Sequence, residues 1–199
     1  MAGEVITRST VQSSIDAPSA GLRSYLAVRG GLAVAPVLGS RSTDTLGGLG
    51  PAPLRAGETV AVGDEVAGPP RPHDALTLIP AGLWHLDVTP GPRADWFDLA
   101  ELTARTWEVT ADLDRVGVRL TGAPLTRRRD GELPSEGLVR GAVQVPPAGT
   151  PVVFGADHPT TGGYPVVAVL TDTAADRLAQ ARPGTRLRLR RRTAGMMDA

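Results

Sequence analysis

Glycine and proline interrupt this chain so often that few stretches are long enough for an extended helix. Its 199 residues include 24 Gly and 18 Pro. They gather in clusters such as Gly30–Gly31, Gly68–Pro70, Pro90–Pro92, Pro146–Pro147 and Gly162–Gly163. Each cluster tends to end what precedes it, because Gly frees the backbone and Pro removes a hydrogen-bond donor. Short segments between turns select strands over long helices. The apolar fraction of 41% supports a sizeable core, and with only 4% aromatics that core must be built from Val, Leu and Ala. A disordered chain would be less apolar.

Several function classes are closed off. Basic and acidic residues balance at 21 each, so no global attraction to nucleic acid or an anionic membrane is expected. All the basic residues apart from the three His are Arg. That excludes a Schiff-base lysine and a Walker-type lysine, and leaves phosphate contacts to Arg, backbone N–H groups or a metal. With no Cys there are no disulfides and no thiolate chemistry. No stretch is apolar enough to span a bilayer, and the N-terminus lacks a signal-peptide pattern. A cytoplasmic protein is expected.

The residue pattern predicts strands at Glu4–Val11, Leu22–Arg29, Thr59–Val62, Ala75–Pro80, Leu83–Val88, Trp107–Thr110, Val116–Leu120, Val143–Val145, Val152–Phe154, Pro165–Leu170 and Arg186–Arg190. The last alternates strictly, as a half-exposed strand does. Leu32–Gly50 reads as a long structured loop, Ala67–Asp74 as a linker, and Arg127–Asp130 as a charged turn. Trp96, Phe97, Leu99 and Leu102 recur at helical spacing, so Pro92–Thr103 reads as a short helix with an aromatic inner face. A second helix is predicted from a capping-box variant at Thr173–Asp176 through Gln180.

Three segments carry more polar chemistry than turns require. Gly39–Asp44 offers Arg41, Ser42 and Asp44 in one loop. It is either a self-bonded Asx/ST turn or an anion-binding loop. Ser135–Pro147 places Glu136 beside a strand in which Gln144 lies between apolar residues. A buried amide there either closes a neighbouring loop or meets a ligand. Ala156–Pro165 runs from an apolar strand into Asp157, His158, Thr160, Thr161, Gly162, Gly163 and Tyr164. We favour a site over a plain hairpin for this segment, with Asp157 as base or orienter and His158 as acid/base group. The three His residues have no metal-ligand spacing, so no metal site is expected.

Seven segments, in this order, resemble the family of the 5-oxoprolinase C subunit, also described as biotin-dependent carboxyltransferase or allophanate hydrolase subunit 2-like. They are Leu22–Gly31, Val37–Asp44, Pro90–Pro92 with Asp95 and Phe97, Asp114–Leu120, Ser135–Gly137, Gly141–Pro147 and Asp157–Pro165. The resemblance implies a mainly β fold of cyclophilin-like barrel subdomains with a few short helices. Residues 1–70 would be the remainder of a first barrel, the family's opening segment having no counterpart here. Residues 71–195 would form a second barrel carrying 135–165. It further implies a complex with proteins like the B and A subunits of 5-oxoprolinase, which converts 5-oxo-L-proline to L-glutamate. ATP, with Mg2+, would be used at the level of the complex. A non-catalytic partner-binding module, or the carboxyltransferase part of a urea carboxylase-like system, are the alternatives. Under the first reading Asp157, His158, Gln144 and Glu136 are the expected catalytic group. Arg41, Ser42, Asp44, Thr160, Thr161, Gly162 and Tyr164 are the expected substrate-binding group. Where the family pattern carries Asp-Arg-Gln, this chain has Asp157-His158-Pro159; if that arginine contacts phosphate or carboxylate in relatives, His158 would be a weaker, pH-dependent substitute.

Overall fold

A computed structural model describes residues 16–45, 47–66, 68 and 79–192. The chain divides into two compact units. One is Tyr25–Leu76, and the other combines Met1–Ser24 with Thr77–Ala199.

In the smaller unit, strand β1 (Gly30–Leu32) pairs antiparallel with β2 (Val62–Glu65). The predicted strands fall elsewhere. No residue of Leu22–Arg29 is in a strand, and Gly30–Gly31, expected to stop one, begins β1 instead. Thr59–Ala61 likewise lies outside β2. Gly30 and Gly63 decide the pairing. Each lacks a Cβ where the other's backbone carbonyl approaches, and Gly30 adopts φ 94°. Apolar alternation alone does not make a ladder when neither face is covered, and Tyr25 and Leu26 are 73% and 63% exposed. Leu32, expected to open the long loop, ends β1 instead; the described residues from 33 to 50 lie outside the strands and are closed by the isolated bridges Val37↔Ser40 and Asp44↔Leu49.

The larger unit is a closed seven-stranded barrel with the order β10-β3-β11-β4-β5-β8-β7, β7 returning to β10. Its strands are β3 (Trp84–Pro90), β4 (Trp107–Leu113), β5 (Gly117–Thr121), β7 (Ala142–Gln144), β8 (Val152–Phe154), β10 (Val166–Leu170) and β11 (Arg186–Arg191). All neighbours are antiparallel except β3 and β11. Closure removes free edges, which is how a chain of such short strands becomes stable. Side chains alternate across the wall: Trp84, Leu86 and Val88 point in with Leu187 and Leu189, while His85, Arg186, Arg188 and Arg190 stay outside. Trp107 is fully buried and donates its indole N–H to the Leu102 carbonyl at 3.0 Å, so the large ring costs no unpaired donor.

The predicted first helix is two pieces: a 3-10 turn (Ala94–Trp96) and α1 (Leu99–Ala104). Phe97 between them is extended, and Asp98 caps α1 by accepting from the Ala100 N–H at 2.9 Å. The aromatic inner face is present, with Trp96, Phe97 and Leu102 buried. Helix α2 spans Asp172–Leu178, and its cap is Thr171 rather than Thr173. Thr171 follows the end of β10 directly, so its hydroxyl meets the Ala174 N–H at 3.3 Å. The segment before the smaller unit is held by side chains in place of a ladder: Gln180 Oε1 accepts from the Leu22 and Arg23 N–H groups, both at 2.9 Å. The expected Glu4–Val11 strand lies outside the described residues, as do residues 75–78 of the Ala75–Pro80 strand and all of the expected linker but Gly68. Ile79 and Pro80 are not in a strand.

Candidate functional site

Beside the barrel wall, β6 (Glu136–Gly137) and β9 (Thr161–Gly162) form a two-stranded ribbon, with Glu136 opposite Gly162 and Gly137 opposite Thr161. The Leu138 N–H extends it to the Thr160 carbonyl at 2.9 Å. Leu138, Ala142 and Val166 pack as a small buried cluster joining ribbon to wall. Gln144, the last residue of β7, is 4% exposed and is the sole buried polar residue among those described. Its Nε2 donates to the Tyr164 carbonyl at 2.9 Å. Gly162 lies against this amide, since a Cβ there would sit 2.9 Å from both Gln144 Nε2 and Leu138 Cδ1. Gln144 thus closes the segment joining β9 to β10, one of the two alternatives open from its sequence. Tyr164 itself is 49% exposed.

Glu136 is joined to Arg93 by a two-pronged fork. Arg93 Nε donates to Oε2 at 3.0 Å and Nη2 donates to Oε1. The Arg93 side chain is 35% exposed and that of Glu136 26%. The hydrogen bonds from Arg93 hold the Glu136 carboxyl below its ordinary range. Partial desolvation opposes this and the arginine charge adds to it.

A second fork joins the β4–β5 turn to Asp157, beyond the end of β8. The β4–β5 turn is set by Asp114, whose Oδ1 accepts from the Val116 and Gly117 N–H groups at 2.8 and 2.9 Å. Arg115 then donates from Nε to Asp157 Oδ2 at 2.6 Å and from Nη2 to Oδ1 at 2.9 Å. The Asp157 N–H bonds the Arg115 carbonyl at 3.0 Å. These hydrogen bonds from Arg115 lower the Asp157 carboxyl, again against a smaller desolvation. His158 Nδ1 lies 2.8 Å from the Pro159 carbonyl. A carbonyl only accepts, so this contact calls for a proton on Nδ1 and leaves Nε2 facing away from it.

The structure therefore brings Glu136, Gln144, Thr160, Thr161, Gly162 and Tyr164 together around the ribbon. Asp157 and His158 lie past the opposite end of β8 from Gln144, which pairs with Val152. Arg41, Ser42 and Asp44 belong to the smaller unit. There Arg41 bonds Glu65 at 2.6 and 3.4 Å and the Val34 carbonyl at 2.9 Å. Ser42 N–H donates to Ser40 Oγ at 3.1 Å, and Asp44 Oδ1 accepts from the Gly47 N–H at 3.0 Å. Arg93 and Arg115 are the residues that sequence reasoning passed over. Arg115 lies inside a recognised segment and Arg93 directly after one, but their carboxylate partners are 42 and 43 positions away, a pairing that no local pattern encodes. Chemically the ribbon offers one carboxylate fixed as an anion, threonine hydroxyls and a buried amide, and the far end of β8 offers a second such carboxylate and an imidazole. Among the described residues no group of three or more His, Cys, Asp or Glu is placed to share a metal ion, and no helix is long and apolar enough to cross a membrane.

The carboxyltransferase domain family, subdomain A and B, matches residues 5–191. The chain is 39% identical over 171 residues to the C subunit of 5-oxoprolinase from Escherichia coli (strain K12), covering 82% of this chain and 54% of the relative. It is 30% identical over 178 residues to the same subunit from Haemophilus influenzae, covering 84% and 55%. The chain thus spans about half the length of the curated relatives it matches. Among solved structures, the Kluyveromyces lactis urea amidolyase superposes with a TM-score of 0.76 at 26% identity, over 86% of this chain and 12% of that one.

Proposed function

Because the chain belongs to the carboxyltransferase domain family, subdomain A and B, we propose that it is one component of a 5-oxoprolinase-type complex. The complex would open 5-oxo-L-proline to L-glutamate with ATP hydrolysis, in the cytoplasm, together with proteins like the B and A subunits of 5-oxoprolinase. The observation that carries this reading is the 39% identity to the E. coli 5-oxoprolinase C subunit over most of the chain. A lactam resists water, and phosphorylating its oxygen makes the ring carbon electrophilic. Among the described residues no group of three or more His, Cys, Asp or Glu is placed to share a metal ion, the chain has no Lys, and Glu136 and Asp157 each pair with an arginine.

The roles we propose are these. Glu136 orients the ring amide, and Gln144 holds the segment that borders the ring through the Tyr164 carbonyl. Thr160, Thr161, Gly162 and Tyr164 border the ring. A carboxylate held below its usual range is a weak base at neutral pH, so Asp157 acts as an orienter and proton acceptance falls to His158 Nε2. Arg41, Ser42 and Asp44 form an anion-binding loop of the smaller unit. In a mixture with the two partner proteins, Gln144→Ala and Asp157→Ala are each expected to lower glutamate release by on the order of 10²-fold through misplacement of the ring. Full rates in both variants would refute the assignment. The similarity to urea amidolyase favours one second reading, carboxyl transfer from a biotin carrier. Labelled carboxyl passing from carboxybiotin to urea, with no ATP-dependent glutamate release, would select it.

A further inference from the structure

The Arg93–Glu136 fork joins a firmly seated cation to a lightly held anion. The Arg93 N–H bonds the Val166 carbonyl at 2.9 Å, its carbonyl accepts from the Trp96 N–H at 3.0 Å, and the Gly91 N–H bonds the Val167 carbonyl at 2.9 Å. The barrel wall therefore fixes the Arg93 backbone, and the Glu136 carboxylate holds its guanidinium. Glu136 rides on a ribbon with two residues in each strand. Nε and Nη2 are spent on the carboxylate, which leaves the Nη1 edge of the guanidinium outside the fork. The pair is open to solvent, at 35% and 26% exposure.

Its position matters as much as its chemistry. Arg93 bonds Val166 on one side of β10, and Gln144 is the register partner of Val166 on the other. Neighbouring strands lie about 4.8 Å apart, so the two backbones are separated by about 10 Å. Glu136 and its partner Gly162 lie over that span. A solvent-open guanidinium whose counter-ion rides on a two-residue ribbon suits a small ligand that carries a carboxylate.

We propose that Arg93 recognises the carboxylate of the substrate and that Glu136 is its resting counter-ion. The incoming carboxylate takes the place of Glu136 in the guanidinium fork, and the released Glu136 accepts the ring N–H. One carboxylate replaces another in the same planar, two-pronged geometry, and the site selects acids over neutral analogues. This rests on the 5-oxoprolinase reading for the identity of the acid.

The test is calorimetric titration of the full chain with 5-oxo-L-proline and with its neutral carboxamide. The wild type is expected to prefer the acid by roughly tenfold or more, since a hydrogen bond to a charged group is worth that much. Arg93→Gln should lose about tenfold to a hundredfold in acid affinity and leave the carboxamide unchanged. The isosteric Glu136→Gln should bind the acid more tightly, because the competing anion is gone. Three results would overturn the proposal: no binding or no acid preference in the wild type, wild-type affinity in Arg93→Gln, or equal weakening in both variants, which a merely structural ion pair would give. Acid selectivity through Arg93 without 5-oxoproline-dependent ATP consumption in the complex would keep the seat and refute the substrate reading. Turnover indifferent to Arg93→Gln would refute the seat alone.

Discussion

Asp157 shows what one ion pair contributes and when. Hydrogen bonds from Arg115 lower its carboxyl pKa. The ionised form therefore stabilises the fold above the unfolded carboxylate value of about 3.9, and that stability is lost as pH falls through the lower folded value. The side chains are 59% and 46% exposed, so solvent screening keeps the contribution below about 1 kcal/mol. Thermal melts across pH should show Asp157→Asn slightly below the wild type at neutral pH, with the gap closing in acid and shrinking in salt. A gap that widens in acid would contradict the pairing. At this scale the sequence was half legible. Glu136, Gln144 and Asp157 stand out because a polar group among apolar or glycine-rich neighbours needs a partner. Arg93 and Arg115 do not stand out, since an arginine on a turn looks the same whether solvated or forked.

Elements follow from what covers them. Arg186–Arg191 was readable because alternation met a barrel interior that buries Leu187 and Leu189. Leu22–Arg29 was misread because its alternation meets no neighbouring strand, and Gln180 satisfies the backbone at its start instead. Glycines mark where elements touch. A Cβ on Gly91 would lie 2.8 Å from the Ala168 backbone N and 2.9 Å from the Val167 carbonyl carbon, within the seam that seats Arg93. A Cβ on Gly162 would meet side-chain atoms as its nearest neighbours, and these yield more easily than backbone. Gly91→Ala should therefore cost about 1–3 kcal/mol in urea unfolding, and Gly162→Ala clearly less while still disturbing turnover through Gln144. The reverse order of stability would show that the Gly91 seam is not tightly packed. Trp107→Ala, which empties a fully buried core position beside α1, should cost about 3–5 kcal/mol.

At the scale of the whole molecule, the two units differ in how they hold themselves together. The barrel unit contains every buried large apolar residue among those described, from Trp84 to Leu189. In the Tyr25–Leu76 unit, Tyr25, Leu26, Leu38, Leu54, Val62 and Val66 are each more than half exposed. Regions with few buried apolar contacts open at lower free energy. Trypsin, which here can cut only after Arg, should cleave at Arg29, Arg41 or Arg55 before it cuts the barrel strands at Arg119, Arg188 or Arg190. Simultaneous loss of both sets would show a single cooperative body. The β-barrel class was legible from glycine and proline spacing combined with the family motifs. The chain closing on itself through β7 and β10 was not, because it joins residues whose local patterns are those of any short strand. If this chain is a working part of an ATP-dependent lactam-opening complex, the partner proteins should depend on it. The most direct measurement is glutamate formed per ATP consumed when 5-oxo-L-proline is given to those partners with and without this chain. Coupled turnover that requires the chain is the predicted result. Equal turnover in its absence, or none in its presence, would contradict that role.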